Sequence, residues 1–148
     1  MTHFTLTTDP TLGPIISAVV AVSEERALAL SNAVQPVPQA KQVRALIDTG
    51  ATHTCVDPTI LRDFGLTPTG STQVHTPSSG PSPVAMDQYD VGLAIFGRRE
   101  DPPLIHRTIP VIGTDLSAQG IDALVGRDVL KDCVLVYNGG TGTFTLAF

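Results

Sequence analysis

The chain has 148 residues, of which 42% are apolar and 16% charged. That balance excludes a disordered polymer and leaves room for one domain, 1–148, with a core large enough to need no disulfide or metal staple. A net charge of −5, with only 9 Lys and Arg scattered along the chain, excludes a broad nucleic-acid surface.

Glycine (13) and proline (12) punctuate the chain into short segments. The β-branched apolar runs between them predict a mainly β protein. The first run, Ile15–Val22, has nothing basic before it and is too short to span a bilayer, so it is expected as a buried strand. With no export signal in view, the expected location is the cytoplasm, and no membrane is expected as a partner. Glu24–Leu30 fits one or two helical turns or an extended strand. Asn32 to Gln42 holds two prolines and reads as a connecting loop, after which Val43–Ile47 is a strand.

Asp57 is suited to cap a helix that starts at Pro58, places Ile60, Leu61 and Phe64 on one face and stops at Gly65. Gly70 to Phe96 is a long hairpin. Its first arm is Ser71–Thr76, its tip is Pro77 to Pro83, and its second arm alternates Tyr89, Val91, Leu93 and Ile95 on one face. Prolines at the tip lack the donor that regular pairing needs. By composition alone this hairpin is a plain surface loop. Leu104–Ile112 and Ala123–Val125 are further strands, and a second short helix starts near Arg127. Val134–Tyr137 and Thr143–Phe148 pair through Asn138-Gly139-Gly140-Thr141-Gly142, a turn rich in residues that accept positive φ.

Two cysteines, Cys55 and Cys133, make no metal spacing and are expected as reduced thiols. His3, His53, His75 and His106 are dispersed, so neither a metal nor a cofactor is expected. The informative stretch is Ala45-Leu46-Ile47-Asp48-Thr49-Gly50-Ala51-Thr52. An apolar strand ends in a carboxylate, which the strand holds with little freedom. Thr49 offers a hydroxyl that can brace the loop. Gly50 lets its backbone approach the carboxylate and donate to it, and Ala51 leaves room for a substrate backbone. Three residues decide little by themselves, because Asp and Gly are common wherever strands turn. About seventy residues later comes Ile121-Asp122-Ala123-Leu124-Val125-Gly126-Arg127-Asp128, two apolar residues and a glycine leading into a helix.

Together, the Asp48-Thr49-Gly50-Ala51 loop, the hairpin and Leu124-Val125-Gly126-Arg127-Asp128 resemble the retropepsin family of aspartic proteases. The resemblance runs from about Ile15 to Phe148. It implies a closed or partly open β-barrel with one or two short helices and a flap hairpin. It implies that Leu124, Val125 and Gly126 floor the Asp48 loop, and that Arg127 pairs structurally with a carboxylate. The hairpin becomes the flap, with His75, Thr76, Pro77, Ser78, Ser79 and Gly80 as candidates to touch substrate. Only one Asp-Thr-Gly is present, so the resemblance implies a homodimer with one Asp48 from each copy, acting on a peptide or protein substrate. In retroviral relatives the chain ends build much of the dimer sheet. Here Met1 to Leu12 are polar and proline-bearing and look poorly suited to it, which leaves the C-terminal strand. Two other readings compete: the same fold binding peptides or assembling complexes without hydrolysis, and an unrelated β module in which Asp48 is an ordinary turn residue.

Overall fold

The computed structural model describes residues 1–76 and 80–148. In chain order the described strands are β1 (His3–Thr7), β2 (Ile15–Val22), β3 (Lys41–Ile47), β4 (Cys55–Val56) and β5 (Gly70–Val74). They continue with β6 (Val84–Ile95), β7 (Leu104–Gly113), β8 (Ala123–Val125), β9 (Val134–Asn138) and β10 (Thr143–Ala147). The helices are α1 (Glu24–Asn32), α2 (Pro58–Asp63) and α3 (Arg127–Leu130). None is long and apolar enough to cross a membrane.

Six strands close into a barrel in the order β2-β3-β8-β4-β7-β6, with β6 returning to pair with β2. Alternation selects the inner face. β2 turns Ile16, Ala18, Val20 and Val22 inward, β3 Val43, Ala45 and Ile47, and β6 Val91, Leu93 and Ile95. Ala18, Ala45 and Ala123 are wholly enclosed. Small side chains there suit a narrow interior, and the larger Val, Leu and Ile around them supply most of the apolar burial. β5 lies outside the barrel and pairs only with β6, so the two form a hairpin projecting from it. β3 with β8 and β4 with β7 are parallel pairs.

α2 starts as the sequence predicts. Asp57 accepts from the Thr59 amide at 2.9 Å, with Pro58 in the first turn. Glu24–Leu30 resolves as helix. Ser23 Oγ accepts from the Arg26 amide at 3.2 Å, and Glu24 and Glu25 favour the positive end of the helix dipole. At its other end Val34 takes φ +56° while 93% exposed. The amides of Val34 and Gln35 donate back to Ser31 and Leu30, which fixes that left-handed turn. A β-branched side chain there costs about 1–2 kcal/mol, which glycine avoids at some loss of chain entropy. Val34→Gly is therefore expected to stabilise the fold by about 0.5–1 kcal/mol, read as a higher urea midpoint at unchanged slope.

The second sheet has the order β1-β10-β9. The N-terminal dozen residues, expected to be poorly suited to a dimer sheet, are taken up within their own chain. His3–Thr7 form a strand paired along its whole length with β10 of the same chain. Much of their polar character is threonine, which suits strands well. Thr5 and Thr145 share a hydroxyl hydrogen bond of 2.7 Å across the pair, and the Phe4 and Phe148 rings meet edge to face at 6.3 Å. Phe144 and Leu146 join the apolar core of the barrel.

Candidate active site

β3 aims its last residues along β8, with Leu46 opposite Leu124 and Ile47 opposite Val125. The pairing carries one residue further, since the Asp48 amide donates to Val125 O at 3.0 Å. The chain then turns sharply. The Ala51 amide donates to Asp48 O at 3.2 Å, and the Gly50 amide donates to Asp48 Oδ1 at 2.8 Å. A Cβ on Gly50 would lie 3.0 Å from that same oxygen, so the carboxylate would have to give by a few tenths of an ångström. Asp48 is half-buried, and Thr49 and Gly50 are exposed.

Three consecutive residues after β8 grip this loop. Arg127 donates from its amide to Ala51 O at 2.9 Å. Its guanidinium donates to Thr49 O at 2.8 Å, Gly50 O at 3.1 Å and Thr52 Oγ1 at 2.9 Å. Within the single chain, among the described residues, Arg127 makes no ion pair, and its planar fork spans two backbone carbonyls and a hydroxyl. The nearest acidic candidate in sequence, Asp128, turns to Thr54, accepting from its hydroxyl at 2.7 Å and its amide at 2.9 Å. Gly126 donates to Thr54 Oγ1 at 3.1 Å, and a Cβ on it would sit 2.6 Å from the His53 carbonyl carbon. Bracing by the Thr49 hydroxyl is not seen among the described residues. The loop is held through the Thr49 carbonyl, and the hydroxyl has no partner among the described residues.

A family model described as aspartyl protease matches residues 37–129, well over half of the chain. The chain belongs to the retropepsin-like aspartic protease family. The matched span opens in the loop before β3 and closes inside α3, so it contains both the Asp48 loop and the residues that grip it. Aspartic proteolysis is accordingly the general function this protease inherits. No curated protein matches the chain.

The predicted site residues fall into two groups in this aspartic protease. Asp48, Thr49, Gly50 and Ala51 are brought together with Leu124, Val125, Gly126 and Arg127. The flap candidates are separate: His75 and Gly80 are exposed, Thr76 is half-buried, and Pro77, Ser78 and Ser79 lie outside the described residues. The register of the hairpin pairs Thr72 with Met86 and Val74 with Val84, so these four side chains share one face, and Ser71, Gln73, Ala85 and Asp87 share the other. Sequence reasoning missed Thr54 and Asp128. The available signal was a threonine placed among apolar strand residues and an acid immediately after Gly126-Arg127, a pair 74 residues apart.

Other titratable groups near the loop are structural. Burial works against the charge of Asp57, but the amides of Thr59 and Leu116 donate to it and hold its carboxyl below the usual range. Burial, with the nearby Asp128 and Asp48 charges, pushes the Cys55 thiol up. Burial and Asp132 push Cys133 up to about 11. Both sulfurs are free in the structure, and raised thiols stay protonated and unreactive at neutral pH.

Proposed function

We propose that the chain is a single-domain aspartic endopeptidase whose site is completed by a second copy, each contributing one Asp48. The observation that carries this reading is the loop itself: a half-buried carboxylate fixed at Oδ1 by the Gly50 amide, with Thr49 and Gly50 exposed beside it. Oδ2 accepts no hydrogen bond from the described residues. Cavities of about 450, 230 and 460 Å³ are found on the chain, and none is lined by Asp48. In this reading a second copy supplies the second wall of a peptide cleft over Asp48.

The seam we favour includes β9. It is an outer strand of its sheet, it carries no charge, and Val134, Val136 and Tyr137 are each more than half exposed. An uncharged apolar edge invites another strand, and a second β9 related by a twofold axis would supply a self-complementary one. β1 needs no exchange between copies, because it is already paired with β10.

In the dimer two Asp48 carboxylates lie close together and hold one proton between them, as aspartic-protease dyads do generally. The ionised member takes a proton from a water between the pair. The water oxygen attacks the peptide carbonyl, and the protonated member donates to the oxygen that gains charge. The hairpin β5–β6 covers the peptide, presenting Thr72, Val74, Val84 and Met86 toward it.

Dilution tests the reading. Cleavage of a peptide library, scored by mass spectrometry and normalised per chain, is expected to fall as the chain is diluted through its monomer–dimer transition, with solution mass falling in step. A constant rate per chain at monomer mass would overturn the shared site. Peptide binding by the dimer with no product would favour a binding module instead.

A further inference from the structure

We propose that Asp128 is a positioning residue for Asp48, acting through Thr54 and Gly126; this rests on the reading of Asp48 as the catalytic carboxylate. Thr54 has no accessible surface. A buried hydroxyl must find its partners inside the protein, and every polar group of Thr54 does so. Its hydroxyl hydrogen goes to Asp128 Oδ1 at 2.7 Å, and its amide goes to Asp128 Oδ2 at 2.9 Å. Its hydroxyl oxygen accepts from the Gly126 amide at 3.1 Å, and its carbonyl accepts from Ile112 at 3.0 Å.

The direction of these bonds matters. The carboxylate of Asp128 accepts both donors of Thr54, so it fixes the rotamer of that side chain. The fixed hydroxyl leaves a lone pair aimed at Gly126. That bond sets how close the end of β8 lies to the Asp48 loop, and Val125, one residue before Gly126, accepts from the Asp48 amide. Asp128 thus reaches the catalytic carboxylate through one side chain and one strand end, without touching substrate. Arg127 holds the opposite part of the loop, at Thr49 to Thr52. The two neighbours divide the work: Arg127 grips the tip and Asp128 fixes the exit.

The alternative is a brace that only adds to barrel stability. The two roles separate in the full-length dimeric protein. Thr54→Val keeps the volume and removes the hydroxyl, and Thr54→Ser restores it. For Thr54→Val we expect kcat to fall roughly 10- to 100-fold with KM within about threefold, the scale on which small misplacements act. Hydrogen exchange at the Gly50 and Gly126 amides should quicken by about tenfold or more, with the core amides of β2 and β6 unchanged. Thr54→Ser should return both readouts to near wild type. A Thr54→Val, Asp128→Ala double variant should lose no more than the worse single one, because the two act as one unit. If Thr54→Val does not fold, Asp128→Asn is read the same way. It keeps the fork shape but loses an acceptor, so a smaller kcat loss and faster Gly126 exchange are expected.

Unchanged exchange and kcat would overturn the proposal. So would exchange rising evenly across the barrel, or Thr54→Ser failing as Thr54→Val does. Failure of the catalytic reading looks different: no Asp48-dependent cleavage by the wild type, while the exchange of the loop amides still responds to Thr54.

Discussion

Asp48→Asn is expected to reduce peptide cleavage by about 10³-fold or more while leaving the fold in place, the range in which a single acid–base group acts. The structural side is simple. The amide oxygen of asparagine can accept from the Gly50 amide as Asp48 Oδ1 does at 2.8 Å. The backbone bond from residue 48 to Val125 O does not involve the side chain. Melting temperature should therefore move by only a few degrees. The chemical side is severe. In a homodimer both carboxylates are replaced together, and neither amide can take a proton from water or return one to the carbonyl oxygen. Mixed dimers of wild-type and Asp48→Asn chains sharpen the test, because a pair with one carboxylate cannot share a proton. Adding excess variant should titrate wild-type activity away by forming inactive mixed pairs. Independent, full activity of the wild-type chains in that mixture would contradict the two-copy site.

Gly126→Ala is expected to be the most damaging single-methyl change at the site. The new Cβ would lie 2.6 Å from the His53 carbonyl carbon, 2.7 Å from its oxygen and 3.0 Å from the Thr54 nitrogen. These are backbone atoms, which cannot rotate away. The backbone of Gly126 is extended, at φ −91° and ψ −176°, so alanine has no conformational objection; the objection is space. Relief requires β8 and the 53–54 segment to separate, which stretches the Gly126 to Thr54 bond and lifts Val125 from Asp48. Overpacking of this kind costs about 1–3 kcal/mol, and backbone on both sides places the site toward the upper end. That is a large share of the ~5–15 kcal/mol that holds a domain together. A lowered denaturation midpoint with cleavage reduced in any folded fraction is the expected result, and wild-type stability would refute the close-approach argument.

Much of the barrel was legible because alternation is a local signal. Ile15–Val22, Val43–Ile47 and the Tyr89–Ile95 stretch each show one apolar face, and each supplies barrel wall. The cap at Asp57 and the turn at 138–142 were legible for the same reason: residues a few positions apart determine them. Glu24–Leu30 was ambiguous because its buried face is narrow, with Leu30 the one helical residue it buries. The strand within Met1 to Leu12 was not legible because its formation depends on β10, more than 130 residues away in sequence, as in the contact of Thr5 with Thr145 across 140 positions. Arg127 shows the limit of residue-type reasoning. The resemblance implied a carboxylate partner for Arg127, and within one chain the loop presents it with two carbonyls and a hydroxyl. Thr54 and Asp128 were missed because neither belongs to a periodic pattern and their pairing spans 74 positions.

The parallel pairing of β3 with β8 has a consequence for how the enzyme comes into being. Arg127 and Thr49 lie 78 positions apart, and Ala45 meets Ala123 across a similar separation. Such contacts form late, because closing a long loop costs chain entropy before any contact repays it. A chain still emerging from the ribosome already carries Asp48, but not the floor and grip that give the carboxylate its geometry. On the proposed reading of Asp48, proteolytic competence is thereby withheld until residues 124–128 have been made and the barrel has closed.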